Sequence, residues 1–278
     1  MPLDPADRSD FHLPDGNRVD AIMRKVAEEE ILSRYRSLQD HEISGKKSGE
    51  IVTEADIQSE RRLALELTEL LSGSTVIGEE GYAKNPSIIN RFEDEKPIWV
   101  LDPLDGTRNF SEGGSCFCVI VALVCQKVTQ AGWIYNPLKK TMYSAQLGKG
   151  VWRNAKPIDS SPTRIFSHMS GSVGKLRHQN IVSRYGMQGP DRPAHLVRYR
   201  CIGMEYVDLV LGNLDFAEYG SLKPWDHAAG ALLLHESGGL GAYVDTKQEY
   251  VPGPTQAMRF IATRTAKNWP EINQFLAA

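Results

Sequence analysis

Trp99-Val100-Leu101-Asp102-Pro103-Leu104-Asp105-Gly106-Thr107 is the stretch that decides how this chain is read. The apolar run Ile98 to Leu101 has strand character and ends in a turn carrying two carboxylates three residues apart. At that spacing in a tight turn, both can face one cation. Pro103 fixes the backbone and removes a donor. The Leu104 side chain can pack inward while its carbonyl oxygen faces out as a ligand. Gly106 permits a phosphate to approach the backbone, and Thr107 supplies a hydroxyl. Residues 107–109 are expected to open a short helix whose free N–H groups would hold phosphate oxygens. Hard cations such as Mg²⁺ take oxygen ligands, commonly one or two carboxylates plus substrate phosphate oxygens. The stretch points to metal-assisted phosphate chemistry.

Upstream, residues 1–17 read as a loose lead-in. Ile22, Met23, Val26, Ile31 and Leu38 then recur at helical spacing, which predicts a helix over about Val19 to Leu38 with Glu28, Glu29 and Glu30 on its solvated face. A polar turn over His41 to Glu50 leads to Val52-Thr53-Glu54-Ala55-Asp56, the start of a second helix running to about Leu71. Thr53 is a plausible N-cap, and acids in the first turn suit the helix dipole. Thr75 to Ile77 reads as a short strand ending at Gly78-Glu79-Glu80-Gly81. Downstream, Phe117–Cys125, Ala131–Tyr135, Thr141–Ala145 and Val151–Arg153 are strand-like and separated by turn residues, the pattern of an antiparallel meander. After Pro162 mixed segments lead to a helix near Gly203 to Leu211, a strand over Leu214 to Tyr219, and a helix from Trp225-Asp226 to Glu236 stopped by Gly238-Gly239. A sub-domain boundary is expected near residue 155.

Asp56, Glu79, Asp102, Asp105 and Asp226 thus fall at strand ends or helix starts, where ligand sites gather in mixed sheets. Singly, each has an ordinary reading as a cap, a dipole partner or a solvated turn. If they converge they cannot all stay ionised unaided, since two like charges ~4 Å apart repel by roughly 4 kcal/mol at an effective dielectric near 20. Either some protonate or cations neutralise them.

Composition sets the outer bounds. The chain has 278 residues, 41% hydrophobic and 24% charged, as in ordinary globular proteins. A net charge of −3 and the lack of a long Lys/Arg run argue against a surface built for nucleic acid or anionic membrane. No apolar run reaches the ~20 residues that span a bilayer, and the polar start, Met1 to Arg8, lacks the pattern of a secretory signal. The cysteines, Cys116, Cys118, Cys125 and Cys201, have no zinc-motif spacing and are expected to be buried reduced thiols in a cytoplasmic protein.

The motifs resemble those of the inositol monophosphatase family of Mg²⁺-dependent, lithium-sensitive phosphatases. The resemblance rests on Trp99 to Thr107 and on Trp225-Asp-His-Ala-Ala-Gly230 leading to Glu236-Ser-Gly-Gly239. Val52-Thr-Glu-Ala-Asp56, Gly78-Glu-Glu80 and Gly132-Trp-Ile-Tyr-Asn-Pro137 support it. It implies a mixed α/β fold, a layered αβαβα sandwich of the type shared with fructose-1,6-bisphosphatases, in sub-domains of about 18–155 and 156–278. It also implies two to three Mg²⁺ per site: a first held by Glu79, Asp102 and the Leu104 carbonyl, a second by Asp102, Asp105 and Asp226, and a weaker third near Glu79. Thr107, hydrogen-bonded to Asp56, would activate the attacking water, and the Gly106 and Thr107 N–H groups would bind phosphate. The expected partners are a small phosphorylated substrate and a second copy of the chain in a homodimer.

The chain departs from the inositol-cleaving pattern in its alcohol-binding half. Tyr219 stands where those enzymes carry a glutamate, with Glu218 one residue away and pointing elsewhere on the strand. Met204-Glu205-Tyr206 replaces small alanines, so Glu205 and Tyr219 become the candidate substrate contacts. Histidinol phosphate, a sugar phosphate, 3′-phosphoadenosine 5′-phosphate and fructose 1,6-bisphosphate are the alternative substrates. A regulatory partner of transcription or RNA processing, and a metal-binding module without turnover, are the alternatives of other classes. Lys46, Lys47, His227, His235 and Trp225 are expected to be surface or packing residues.

Overall fold

The computed structural model describes residues 13–46, 49–159 and 163–277. The expected lead-in therefore lies mostly outside the described residues, as do Lys47 and Pro162. Helices α1 (Gly16–Val26) and α2 (Glu54–Leu70) flank the short hairpin of β1 (Ile43–Gly45) and β2 (Ile51–Thr53). Next come β3 (Thr75–Gly78), α3 (Glu79–Lys84), β4 (Ile98–Asp105), α4 (Thr107–Ser111) and β5 (Cys118–Cys125). The meander continues through β6 (Val128–Asn136), β7 (Thr141–Gln146), β8 (Val151–Arg153) and β9 (Lys156–Pro157). The second half holds β10 (Ser170–Ser172), α5 (Lys175–Tyr185), β11 (His195–Val197), α6 (Ile202–Leu211), β12 (Phe216–Tyr219), α7 (Pro224–Glu236), β13 (Leu240–Tyr243), β14 (Phe260–Thr263) and α8 (Trp269–Ala277).

Strands β3 to β9 form one sheet in chain order, with β3 parallel to β4 and every later pair antiparallel. The second sheet runs β11-β10-β12-β14-β13. Side chains alternate across a strand, and in β4 and β5 both faces are apolar. Trp99, Leu101, Val119, Val121 and Leu123 pack with Val19, Met23, Leu63 and Leu67 of α1 and α2. Ile98, Val100, Cys118, Ile120 and Ala122 pack on the opposite face with α6 and α7. Those helices also cover the second sheet through Ala217, Tyr219, Phe260 and Ala262. The outer face of that sheet, through Phe216 and Ile261, meets Ile181 of α5 and Ile272 and Phe275 of α8. The layers are helix, sheet, helix, sheet, helix, as expected.

Helix α7 is buried over most of its surface, from Trp225 to Leu234. Two glycines let it approach its neighbours. At Gly132 of β6 a Cβ would sit 2.9 Å from the Ala229 Cα, and at Gly230 one would overlap the Tyr206 ring.

The first predicted helix is corrected in detail. Its α-helical part ends at Val26 and passes into a π-helical segment, Ala27–Leu32. That segment buries Ala27 and Ile31 while turning Glu29 and Glu30 toward Arg62. Glu30 is thus half-buried between Arg34 and Arg62 rather than simply solvated.

Candidate active site

The turn after β4 is built by its own sequence. Pro103 offers no N–H, so pairing with β5 breaks between Asp102 and Asp105 and the register shifts there. Asp102 Oδ1 accepts from the Leu104 N–H at 3.0 Å, which turns the chain. Leu104 buries its side chain among the residues beneath the first sheet. Its carbonyl lies 2.9 Å from Thr107 Oγ1. Gly106 has φ +89°, and a Cβ there would meet the Cys116 carbonyl at 2.7 Å, so only glycine fits. Helix α4 starts at Thr107 with first-turn N–H groups that have no partner inside the helix.

Helix α2 supplies the next part. Asp56 Oδ2 accepts from the Thr53 N–H and hydroxyl at 2.8 and 2.6 Å, capping the helix. Its other oxygen accepts from Thr107 Oγ1 at 2.9 Å. Burial pushes the Asp56 carboxyl up to about 7, against the opposing pull of the Thr53 hydroxyl.

Helix α3 brings in Glu79, and α7 brings in Asp226. One carboxylate oxygen each from Glu79, Asp102 and Asp226 lies within 4.8 Å of the others. Burial, followed by the charges of Glu79, Asp105 and Asp226, holds Asp102 well above the usual carboxylate range. Burial and the charges of Glu79 and Asp105 do the same to Asp226. Such crowding is relieved by a divalent cation, and an all-oxygen donor set suits Mg²⁺. Asp105 stands at the edge of this cluster. Its Oδ2 accepts from the Gly203 N–H of α6 at 2.6 Å and faces Cys118 and Cys201.

Several neighbours were not anticipated. Lys46 is not a solvated surface group: its ammonium lies 2.6 Å from Glu79 and 2.7 Å from Glu80. Burial works against its charge, but the two carboxylates outweigh that and raise it. Glu80 is buried rather than solvated. Lys223, at the start of α7, pairs with Glu50 and carries a positive charge beside Asp226 and Glu79. Glu60 of α2 accepts from the N–H groups of Glu80 and Gly81 at 2.8 and 2.7 Å and so anchors the first turn of α3. Each of these contacts joins residues distant in the chain, and Lys46, Glu60 and Lys223 stand in no recognisable local pattern.

The residues expected to contact the alcohol lie on α6 and the second sheet. Glu205 is buried and hydrogen-bonded to the Ser172 hydroxyl of β10. Burial pushes it up to about 7, with the Ser172 bond opposing. The Tyr219 ring stacks on Tyr206 at 5.8 Å. Glu218 points the other way and is held by Arg177 and Arg259 at 2.8 and 2.7 Å. His227 packs inside, 2.9 Å from the Tyr206 hydroxyl, and His235 lies exposed near Glu249. Trp225 is buried against Tyr82. Cys118 and Cys201 are buried, whereas Cys116 and Cys125 are only half-buried, a correction to the expectation of four buried thiols.

Comparison with known proteins places these features among relatives. A model of the inositol monophosphatase family matches residues 18–276. An inositol-1-monophosphatase of Synechocystis is 29% identical over 257 residues, covering 90% of this chain and 84% of that protein. Among solved structures, a Thermotoga maritima IMPase superposes with a TM-score of 0.78 at 22% identity, covering 93% of this chain and 94% of the other. An IMPase/NADP phosphatase solved with Mg²⁺ and phosphate superposes with a TM-score of 0.74 at 18% identity, covering 94% and 92%.

Proposed function

The chain belongs to the inositol monophosphatase family of phosphomonoester hydrolases, and on that premise we propose the parts its own residues take in Mg²⁺-dependent hydrolysis of a small phosphate monoester. The observation that carries the proposal is the crowding of Glu79, Asp102 and Asp226 beside the Thr107–Asp56 hydrogen bond. Glu79, Asp102 and the Leu104 carbonyl would hold one Mg²⁺; Asp102, Asp105 and Asp226 a second; and Glu79 would help hold a weaker third. Bound there, Mg²⁺ would polarise the phosphoryl oxygens and make a water nucleophilic at neutral pH.

The chain's own groups do the rest. The N–H groups of Gly106 and Thr107 hold the phosphate. Thr107 Oγ1 orients the attacking water and passes its proton toward Asp56, a carboxylate whose own charge the Thr53 donors stabilise. Glu205, with Ser172 and Tyr219 around it, receives the alcohol. A buried carboxylate suits the hydroxyls of a polyol or the ammonium of an amino alcohol, which keeps inositol, sugar and histidinol phosphates as the substrate set. We infer a homodimer in the cytoplasm, with the two sheets as centres of two sub-domains; the family resemblance supports the first and the reduced cysteines the second.

A phosphate-release panel with Mg²⁺ tests this reading. It includes inositol phosphates, histidinol phosphate, sugar phosphates and 3′-phosphoadenosine 5′-phosphate. Mg²⁺-dependent release from at least one monoester is expected, and Asp105→Asn should lower it by about 100-fold or more. Release from none of them, or an Asp105→Asn enzyme of full activity, overturns the assignment.

A further inference from the structure

Asp105 turns one oxygen away from the acid cluster into a nest of thiols. Cys118 Sγ lies 3.8 Å from Cys201 Sγ and 3.7 Å from Asp105 Oδ2. Cys201 Sγ lies 3.5 Å from the Asp105 carbonyl oxygen. Ligand atoms of Asp105, Cys118 and Cys201 all fall within 4.8 Å of one another, and all three residues are buried. They come from the end of β4, the start of β5 and the cap of α6. We propose that Asp105, Cys118 and Cys201 form a site for a thiophilic divalent cation such as Zn²⁺, separate from the oxygen-ligand site but sharing Asp105 with it.

The spacing supports this. Two sulfurs bound ~2.3 Å from a tetrahedral zinc stand about 3.8 Å apart, and a bound sulfur and carboxylate oxygen about 3.6 Å apart. The Cys118–Cys201 and Cys118–Asp105 separations, 3.8 and 3.7 Å, are close to these values. The surrounding backbone leaves little room for other arrangements. A Cβ at Gly203 would sit 2.6 Å from Cys118 Sγ, and one at Gly106 would sit 3.3 Å from the Cys201 Cβ. Cys116, next to the cluster in sequence, is half-buried and interacts with the Cys201 thiol. Donor type sorts the cations: thiolates select zinc, whereas Glu79, Asp102 and Asp226 offer only the oxygen that suits Mg²⁺.

Loading has a stated consequence. Binding releases the two thiol protons to solvent and replaces the Gly203 N–H at Asp105 Oδ2. Asp105 is then tied to the thiol side, so zinc inhibits and excess Mg²⁺ does not fully reverse it. The inhibition rests on the proposed role of Asp105; the binding does not.

Two thiols merely packed together would show the same separation, so the test reads binding directly. The full chain, stripped of metal under a phosphine reductant, is titrated with Co²⁺ and then with Zn²⁺ against a chromophoric chelator, with Mg²⁺ saturating throughout. One equivalent of cobalt showing thiolate charge-transfer absorption, displaced by zinc, is expected. Cys118→Ser and Cys201→Ser should each weaken zinc binding by at least about tenfold, and Cys125→Ser should not. Cys118→Ala and Cys201→Ala, checked for folding by circular dichroism, are read in parallel because a buried hydroxyl itself costs stability. A cobalt complex without thiolate absorption, or zinc affinity unchanged in folded Cys118 and Cys201 variants, overturns the site. No turnover is read, so failure of the phosphatase assignment leaves this result interpretable.

Discussion

Thr107 has one hydroxyl proton and two acceptors at 2.9 Å, Asp56 Oδ1 and the Leu104 carbonyl. It can serve only one at a time, and if the Leu104 carbonyl were taken up as a Mg²⁺ ligand, as proposed, the proton would be left to Asp56. Thr107→Ala should therefore lower turnover by about 100-fold while the Mg²⁺ concentration for half-maximal rate changes little, and Thr107→Ser should recover most of it. Steady-state rates against Mg²⁺ check this; parallel loss of both quantities would make Thr107 a structural residue. At this scale the sequence was readable wherever a contact is local. Thr53 and Asp56 are three apart on one helix turn, and Asp102 to Thr107 is a single turn. Lys46 with Glu79, Glu60 with Gly81 and Ser172 with Glu205 are pairings across the fold, and no spacing announces them. The orientation of Asp105 was hidden for the same reason, because Gly203 is 98 residues away.

The long apolar elements announced themselves. Strand β5 reads as eight residues of Val, Ile, Leu, Ala and Cys because both of its faces are covered, and period-two alternation between two cores leaves no polar position. Strands β10 and β11 hold three residues each, too few for any periodicity, and they pass unseen in the sequence. The π-helical segment after α1 was equally hidden, since burial of Ala27 and Ile31 fits an ordinary helix as well. Helix α7 depends on close approach to Tyr206 and β6. Gly230→Val should overpack that contact and lower stability by roughly 2–3 kcal/mol, read as a lower urea midpoint. An unchanged midpoint would show that the Tyr206 ring, its stack on Tyr219 and its bond to His227 yield without cost.

Across the whole molecule, buried carboxyls link folding to pH and to metal. Burial raises Asp56, Glu60 and Glu205 each to about 7. A raised folded value means the native state binds more protons than the unfolded one, so the metal-free protein loses stability as pH climbs from the unfolded range through about 7. His227 runs the other way: burial drives it from 6.5 to about 3, so its share is full above 6.5 and lost as pH falls toward 3. The carboxyls outnumber it. Burial and neighbouring carboxylates also hold Asp102 and Asp226, the proposed Mg²⁺ ligands, well above the usual carboxylate range, so Mg²⁺ should raise the melting temperature more at about pH 8 than at about pH 5.5, where protons compete for the same oxygens. Thermal melts with and without Mg²⁺ at both values measure this, and a larger effect at the acidic value would refute the linkage. The five-layer arrangement was legible from its motifs, but the placing of α6 and α7 between two sheets was visible only in three dimensions. That shared helix layer also divides labour along the line of descent. Asp102, Asp105 and Thr107 hang from the first sheet, whereas Ser172 and Tyr219 hang from the second and Glu205 from the layer between. On the proposed assignment of the alcohol to Glu205, Ser172 and Tyr219, a lineage can exchange one alcohol for another by a few substitutions at these positions, while the acids of the first half and Asp226 go on unchanged.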